Sequence, residues 1–266
     1  MKNRILVSVI ADYGDLHDLA FAEVRHRLFA ELDDDKFFID TIAVPAFDTV
    51  ATGFVLAQLA INSRLGAGHK FYVNTAPRKD DLTPRRSNAG EGLAYAKLPN
   101  GVEIVAVNSG ASMSFIKPVA TEIRAIQVSA EGSQFRSRDV FPPAFAKIMR
   151  GDYSGLGEDL RAAVPDMPRE KLCYTDGYGN LKTTLDIKAL EVHKGGNVIV
   201  SINGHEQTAR VTDGIFGVKD GEFVVSTGSS GWGGLKLTEI VCRGGNAARS
   251  FGNPSGGATV EWRPAS

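Results

Sequence analysis

The sequence predicts an α/β domain with a mixed or parallel sheet, followed by a smaller all-β domain. Two observations carry this. Up to about residue 165, β-branched apolar runs alternate with helical patterns, while beyond it short strand patterns succeed one another across glycine-rich turns with no long helical period. Between the two textures lies VPDMPREKLCYTDGYGN (164–180), with two prolines and a turn-rich end, so the domains are placed at 1–167 and 168–266.

The first element is ILVSVIA (5–11), a continuous apolar run that reads as a buried strand. After the polar DYGDLHD comes LAFAEVRHRLFAEL (19–32), whose apolar Leu19, Ala22, Leu28 and Leu32 suit one helix face. FFIDTIAV (37–44) is the next strand and DTVATGFVLAQLAINSRL (48–65) the next helix. KFYVNTA (70–76), GLAYAKL (92–98) and VEIVAVN (102–108) are further strands, with a polar loop over 77–88. In QFRSRDVFPPAFAKIMRG (134–151), Pro142 and Pro143 fit a first helical turn, where a missing amide proton costs nothing, and Gly151 fits the C-terminal cap. The second domain offers LKTTLDI, NVIVSI, QTARV, EFVVST, KLTEIVC and ATVEWR as strands, the last preceded by an NPSGG turn.

Composition narrows the function classes. With 43% apolar residues in 266, the chain can fill a core without staples. Its 30 basic and 31 acidic residues balance, which leaves no global field to attract nucleic acid or an anionic membrane. Cys173 and Cys242 lack metal-site spacing and the five histidines form no HxxxH pattern, so neither a zinc site nor any other metal is expected and the thiols should be reduced. The opening apolar run is short and ends at Asp12 without a cleavage pattern, and no run reaches membrane-span length. The expectation is a soluble cytoplasmic protein.

Four places could carry chemistry, each with a plainer alternative. Asp12 follows the first strand, where ligands gather in open α/β sheets, and a carboxylate there can accept both hydroxyls of a ribose; it could equally cap the next helix. The loop bearing Arg78, Lys79, Arg85 and Arg86 could clamp an anion, or be a solvated surface loop. Around Ser137, Arg136 and Arg138 could draw in an anion, or Asp139 could pair with either as a structural device. YTDGYGNLKT presents Asp176, Tyr178 and Asn180, which could stack on a base and bond its edge, or simply form a turn.

In order and spacing, ILVSVIADYGDLHD, VPAFDTVATGFVLAQ, FYVNTAPR, AVNSG, FRSRDVFPPAFAKIMRG, DGYGNLKTTL and GGNAARSFG resemble the motifs of the S-adenosylmethionine (SAM) hydroxide adenosyltransferase family, which includes the fluorinases and chlorinases. The resemblance spans nearly the whole chain. It implies an N-terminal α/β domain, a C-terminal β-barrel, and a homotrimer in which SAM lies between the N domain of one subunit and the C domain of its neighbour. The activity implied is attack at C5' of SAM by hydroxide, giving adenosine and methionine, with halide attack giving a 5'-halo-adenosine as the alternative. SAM is then substrate, and no cofactor is implied.

By position, the resemblance puts Asp12 on the ribose hydroxyls, Phe47 along the sugar and Tyr178 on adenine. Asp176 and Asn180 fall on the methionine portion or adjoining groups, and Asn246 and the Ala247 backbone on the adenine edge. Ser230, in a segment carrying an insertion, joins the substrate-binding set. Ser137 falls at the halide-contacting serine of fluorinase and Phe135 at its pocket aromatic. Ala76 and Arg136 stand where hydrolytic members carry Asp and His, so of their water-activating set only an arginine, Arg86 or its neighbour Arg85, remains. Ser137, Arg86 and Arg136 are therefore the candidate catalytic residues. Because Ala76 and Arg136 remove the general base, a non-catalytic SAM or nucleoside binder is the rival reading. A phosphate-bearing nucleotide drawn to Arg136 and the basic loop is a third.

Overall fold

The computed structural model describes residues 4–75, 91–129 and 133–265, and the chain divides into two compact units, Met1–Met167 and Pro168–Ser266. Ala76, Arg78, Lys79, Arg85 and Arg86 lie outside the described residues.

In the first unit the run 5–11 is strand β1 (Ile5–Ala11), and 19–32 is helix α1 (Leu19–Leu32). Asp18 starts the helix by accepting from the Ala20 amide, and Phe21, Val24, Leu28 and Leu32 bury one face at a 3–4 residue spacing. Strand β2 (Phe37–Ala43) follows, then α2 (Thr49–Ile61), capped by Asp48 through the Ala51 amide. The helix stops short of the expected Leu65. Strands β3 (His69–Asn74), β4 (Leu93–Lys97) and β5 (Glu103–Val107) match the sequence reading, while β6 (Glu122–Ile126) and β7 (Leu156–Asp159) were not expected from it.

These strands form one mixed sheet in the order β2-β1-β3-β5-β4-β6-β7, parallel from β2 to β5 and antiparallel beyond. The chain leaves β1 in one direction for β2 and then crosses over it to β3. Right-handed crossovers in opposite directions put α1 and α2 on opposite faces. On one face, Val7, Val9 and Ala11 pack with Phe21, Val24 and Leu28 of α1 and with Phe145 of α4 (Phe141–Met149). On the other, α2 packs on β1 and β3, and Gly53 lets it approach the loop after β5, where a Cβ would collide with the Ala111 carbonyl. The double proline does open α4, and Gly151 ends it at φ +82° with its amide donating to Ile148.

The second unit holds β8 (Leu172–Thr175), β9 (Leu181–Thr183), β10 (Asn197–Ile202), β11 (His205–Val211), β12 (Phe223–Trp232), β13 (Leu235–Cys242) and β14 (Val260–Pro264). Their order is β14-β10-β11-β12-β13-β9-β8, antiparallel except for the β11–β12 pair. The sheet curls until its edges meet. A bridge joins Lys171 to Thr259, Leu172 donates to Ala258 and Val260 to Glu170. Gly233 and Gly234, at φ +55° and +86°, make the two-residue turn between β12 and β13, which needs positive φ at both positions.

The all-β expectation is corrected in two places by short helices. LKTTLDI ends as strand at Thr183, because Asp186 accepts from the Lys188 amide and starts α5 (Ile187–Glu191). The GGNAARS segment forms α6 (Ala247–Ser250), started by the Asn246 side chain on the Arg249 amide. Strand β12 runs on past Thr227 through a bulge before Gly231, where the glycine and serine run suggested a turn.

Candidate functional site

The switch point of the first sheet brings together Asp12 and Phe47. Because β2 and β3 flank β1, the loops leaving the carboxyl ends of these strands diverge there, the kind of place at which open α/β sheets bind ligands. Asp12 stands at this end of β1. Its Oδ2 accepts the Phe47 amide at 2.9 Å, so it does not cap α1, whose cap is Asp18. Phe47 adopts φ +64°, a left-handed conformation costly for a non-glycine residue, and its ring is exposed. Asp48, next in sequence, is turned inward to start α2, so one short segment both anchors a helix and presents an aromatic ring. Behind them the Thr52 and Thr75 hydroxyls bond at 2.8 Å, and Ser109 donates to the Thr75 carbonyl, which ties the ends of β3 and β5 together.

Tyr13 follows Asp12 and meets Phe21 and Phe135 edge to face, with centroids 5.1 and 5.9 Å apart. Ser137 is 5% exposed on α3 (Arg136–Asp139), and its carbonyl accepts from the hydroxyl of fully buried Tyr72 on β3. The segment FRSRD is thus pinned to the sheet. Its two arginines part company. Arg138 lies over the Phe135 ring, grips Asp139 through Nε (2.7 Å) and Nη2 (2.9 Å), and reaches Glu23 of α1 at 2.8 Å. Arg136 lies 5.2 Å over the Phe141 ring and donates to the Ser129 carbonyl at 3.0 Å. Of the two structural pairings open to Asp139, the one formed is with Arg138.

That grip gives the first unit one acid-sensitive contribution to its stability. Hydrogen bonds from Arg138 and Ser133 hold the Asp139 carboxyl down at about 2. A carboxylate with a depressed folded value contributes stability above its unfolded value of about 3.9 and loses it as pH falls toward 2. Asp139→Asn should therefore melt earlier than the parent at pH 6, and the gap should close between about pH 4 and pH 2. A gap independent of pH in thermal scans would remove the Arg138 ion pair as its cause.

In the second unit, the turn 176–180 and α6 pack together. The Asp176 carboxylate receives the Tyr178 and Asn180 amides on Oδ1 and the Asn180 side chain on Oδ2, each at 3.0 Å. Gly179 lies against Asn246, where a Cβ would collide with the side-chain amide, and its carbonyl accepts from the Ala248 amide at 2.9 Å. Tyr178, 82% exposed, projects from this turn.

Beneath it lies an ionic row that sequence reasoning missed. Lys182 Nζ bridges Asp176 at 3.1 Å and Glu239 at 2.8 Å, and Glu239 Oε1 accepts from the Ser229 amide at 3.1 Å and the Ser230 hydroxyl at 3.5 Å. Lys182 and Glu239 are nearly inaccessible. Burial pushes the Asp176 carboxyl up, but the Asn180 bonds and Lys182 outweigh it, so it titrates below the ordinary range. Asp176, Tyr178, Asn180, Ser230, Asn246 and Ala247 therefore share one end of this sheet. Only the charge alternation of β9 and β13 could have hinted at Lys182 and Glu239.

Among the described residues no three His, Cys, Asp or Glu side chains converge to hold a metal ion, and no helix is long and apolar enough to cross a membrane. Cys173 and Cys242 are buried free thiols.

No family model and no curated protein matches the chain. Among solved structures it is similar to an uncharacterized conserved protein from Thermotoga maritima, at 20% identity and a TM-score of 0.73 over 96% of this chain and 99% of that one. A conserved hypothetical protein from Thermus thermophilus is similar at 21% identity and a TM-score of 0.67, over 98% and 100%. What these likenesses show is the fold.

Proposed function

We propose that the protein binds SAM and transfers its adenosyl group to water, releasing adenosine, methionine and a proton to solvent. The observation that carries this reading is Asp12 at the switch point, a carboxylate at the end of β1 beside the exposed ring of Phe47. That pairing suits a ribose: the carboxylate accepts the two vicinal hydroxyls and the ring covers an apolar sugar face. Tyr178, projecting from its turn, is assigned to the base, with Asn246 and the Ala247 backbone at its edge. Asp176 and Asn180 are assigned to the methionine portion, and the cationic sulfonium and ammonium of SAM suit the net negative charge of Asp176, Lys182 and Glu239.

The chemistry asks little of the protein. Attack on C5' forms the new C–O bond while the C5'–S pair leaves on a neutral thioether, so the work is alignment and desolvation. Phe135 and Ser137 line that step, with Arg136 and Arg86 as the accompanying cations. The homotrimer and the closed barrel implied by the resemblance, and the cytoplasmic location expected from composition, belong to the same proposal.

A second reading, a non-catalytic nucleoside or SAM binder, draws on the engagement of Asp139 by Arg138, which occupies the carboxylate closest in sequence to Ser137. One experiment separates the readings. Purified protein is incubated with SAM in halide-free buffer and again with chloride, bromide or fluoride, and products are resolved by mass spectrometry. Adenosine and methionine without halide are expected. A 5'-halo-adenosine would transfer the reaction to halide, and saturable binding without product would favour the binder.

A further inference from the structure

The hydroxyl of Tyr13 is buried and has no hydrogen-bond partner among the described residues. A phenol in a protein interior ordinarily finds one, and leaving it unsatisfied costs about 1–3 kcal/mol. Its surroundings are specific. Phe21 and Phe135 wall its ring, and Tyr72 is close enough for the two phenols to sense each other's charge. The Ser137 hydroxyl is close enough to act on it as a hydrogen-bonding neighbour without reaching the geometry of a direct bond. Burial and the Asp12 charge push the phenol well above its ordinary value, partly offset by Ser137. Tyr13 therefore keeps its proton throughout the neutral range and remains a donor.

We propose that the Tyr13 and Ser137 hydroxyls form a seat for one water molecule beside Asp12 at the end of β1. Each hydroxyl can donate and accept, so together they supply the two or more polar partners that a buried water needs. The Asp12 charge felt by the Tyr13 phenol favours a neutral occupant over an anion, and Arg136 next to Ser137 is turned to the Phe141 ring and the Ser129 carbonyl. Phe21 and Phe135, which pack on the Tyr13 ring, offer no polar partner to a larger occupant. On the adenosyl-transfer reading, on which this role rests, that water is the nucleophile: two neutral hydroxyls aim its lone pair without deprotonating it, which a sulfonium leaving group does not require. Tyr13 then supplies the alignment, and no general base is needed in its place.

The test has a structural arm and a kinetic arm. Crystals of the full chain grown without halide should show a solvent peak within about 3.2 Å of both Tyr13 Oη and Ser137 Oγ. After a bromide soak the position should give no anomalous signal. Tyr13 Oη bonded to a protein group with no solvent on it would overturn the seat, and bromide in that place would overturn water as its occupant.

In solution, Tyr13→Phe should bind adenosine within about twofold of the parent, while kcat for SAM falls about tenfold or more with little change in KM. An unchanged kcat would overturn the role. Should Tyr13→Phe fail to fold, Ser137→Ala removes the other hydroxyl and gives the same readouts. A parent that shows the water but never turns over SAM sinks the adenosyl-transfer reading and leaves the seat standing, so the two failures are distinguishable.

Discussion

Asp12→Ala weakens adenosine binding about 100-fold or more, measured by calorimetry, because it removes a charged acceptor for two ribose hydroxyls. Hydrogen bonds to a charged group contribute about 1.5–3 kcal/mol each, and about 2.7 kcal/mol corresponds to a hundredfold in Kd. The fold should survive, since the hydrogen bond from the Phe47 amide is at an exposed site. Part of the effect travels through that bond. It helps to hold Phe47 at φ +64°, so removing the acceptor also frees the ring that is assigned to the sugar. Asp12→Asn separates the contributions: a neutral oxygen still receives the Phe47 amide, and binding should fall between parent and alanine variant. Unchanged affinity in the alanine variant would withdraw Asp12 from the ribose.

Lys182→Met destabilises the second unit by about 3–5 kcal/mol, the usual consequence of removing one partner from a buried ion pair. The methionine fills the space, so packing loss is small. What remains are the Asp176 and Glu239 carboxylates facing one another without the ammonium that bridged them. The cause is therefore electrostatic and reversible by design. Adding Glu239→Gln to Lys182→Met should recover a large part of the loss in urea unfolding, because it removes the uncompensated charge. A loss below about 1 kcal/mol for the single variant would mean that the row behaves as a surface pair.

Legibility in the sequence tracked how far each element depends on its own residues. The bounds of strand β1 and helix α1 were readable to the residue, because a strand buried on both faces is a continuous apolar run. The buried helix face was only half legible: Leu28 and Leu32 lie on it, while Phe21 and Val24 take the places expected of Leu19 and Ala22. Strand β6 was not, because EIRAI alternates charged and apolar residues over only five positions, and its pairing with β4 is a tertiary fact. Strand β12 looked finished at Thr227 because Gly and Ser follow, whereas the ladder with β13 resumes beyond a bulge.

In the candidate sites, motif spacing singled out Asp12, Phe47, Ser137 and the 176–180 turn. It gave no access to Lys182 or Glu239, which are buried as direct cross-strand partners on β9 and β13, a pairing that sequence spacing does not show. Nor could it tell Arg136 from Arg138, whose partners on α1 and on the 127–129 segment are distant or unremarkable in sequence.

The closing pairs of the second sheet, Lys171 with Thr259 and Glu170 with Val260, join segments nearly ninety residues apart in sequence. Contacts of such separation form late, since the loop entropy must be met before they contribute. During synthesis this unit therefore waits with two raw edges, β8 and β10, until residues 257–264 arrive. Each edge is a template for another chain in the meantime. A chain stopped at about residue 256 keeps both edges exposed, and its fate is set by self-association rather than by the stability of what has already folded.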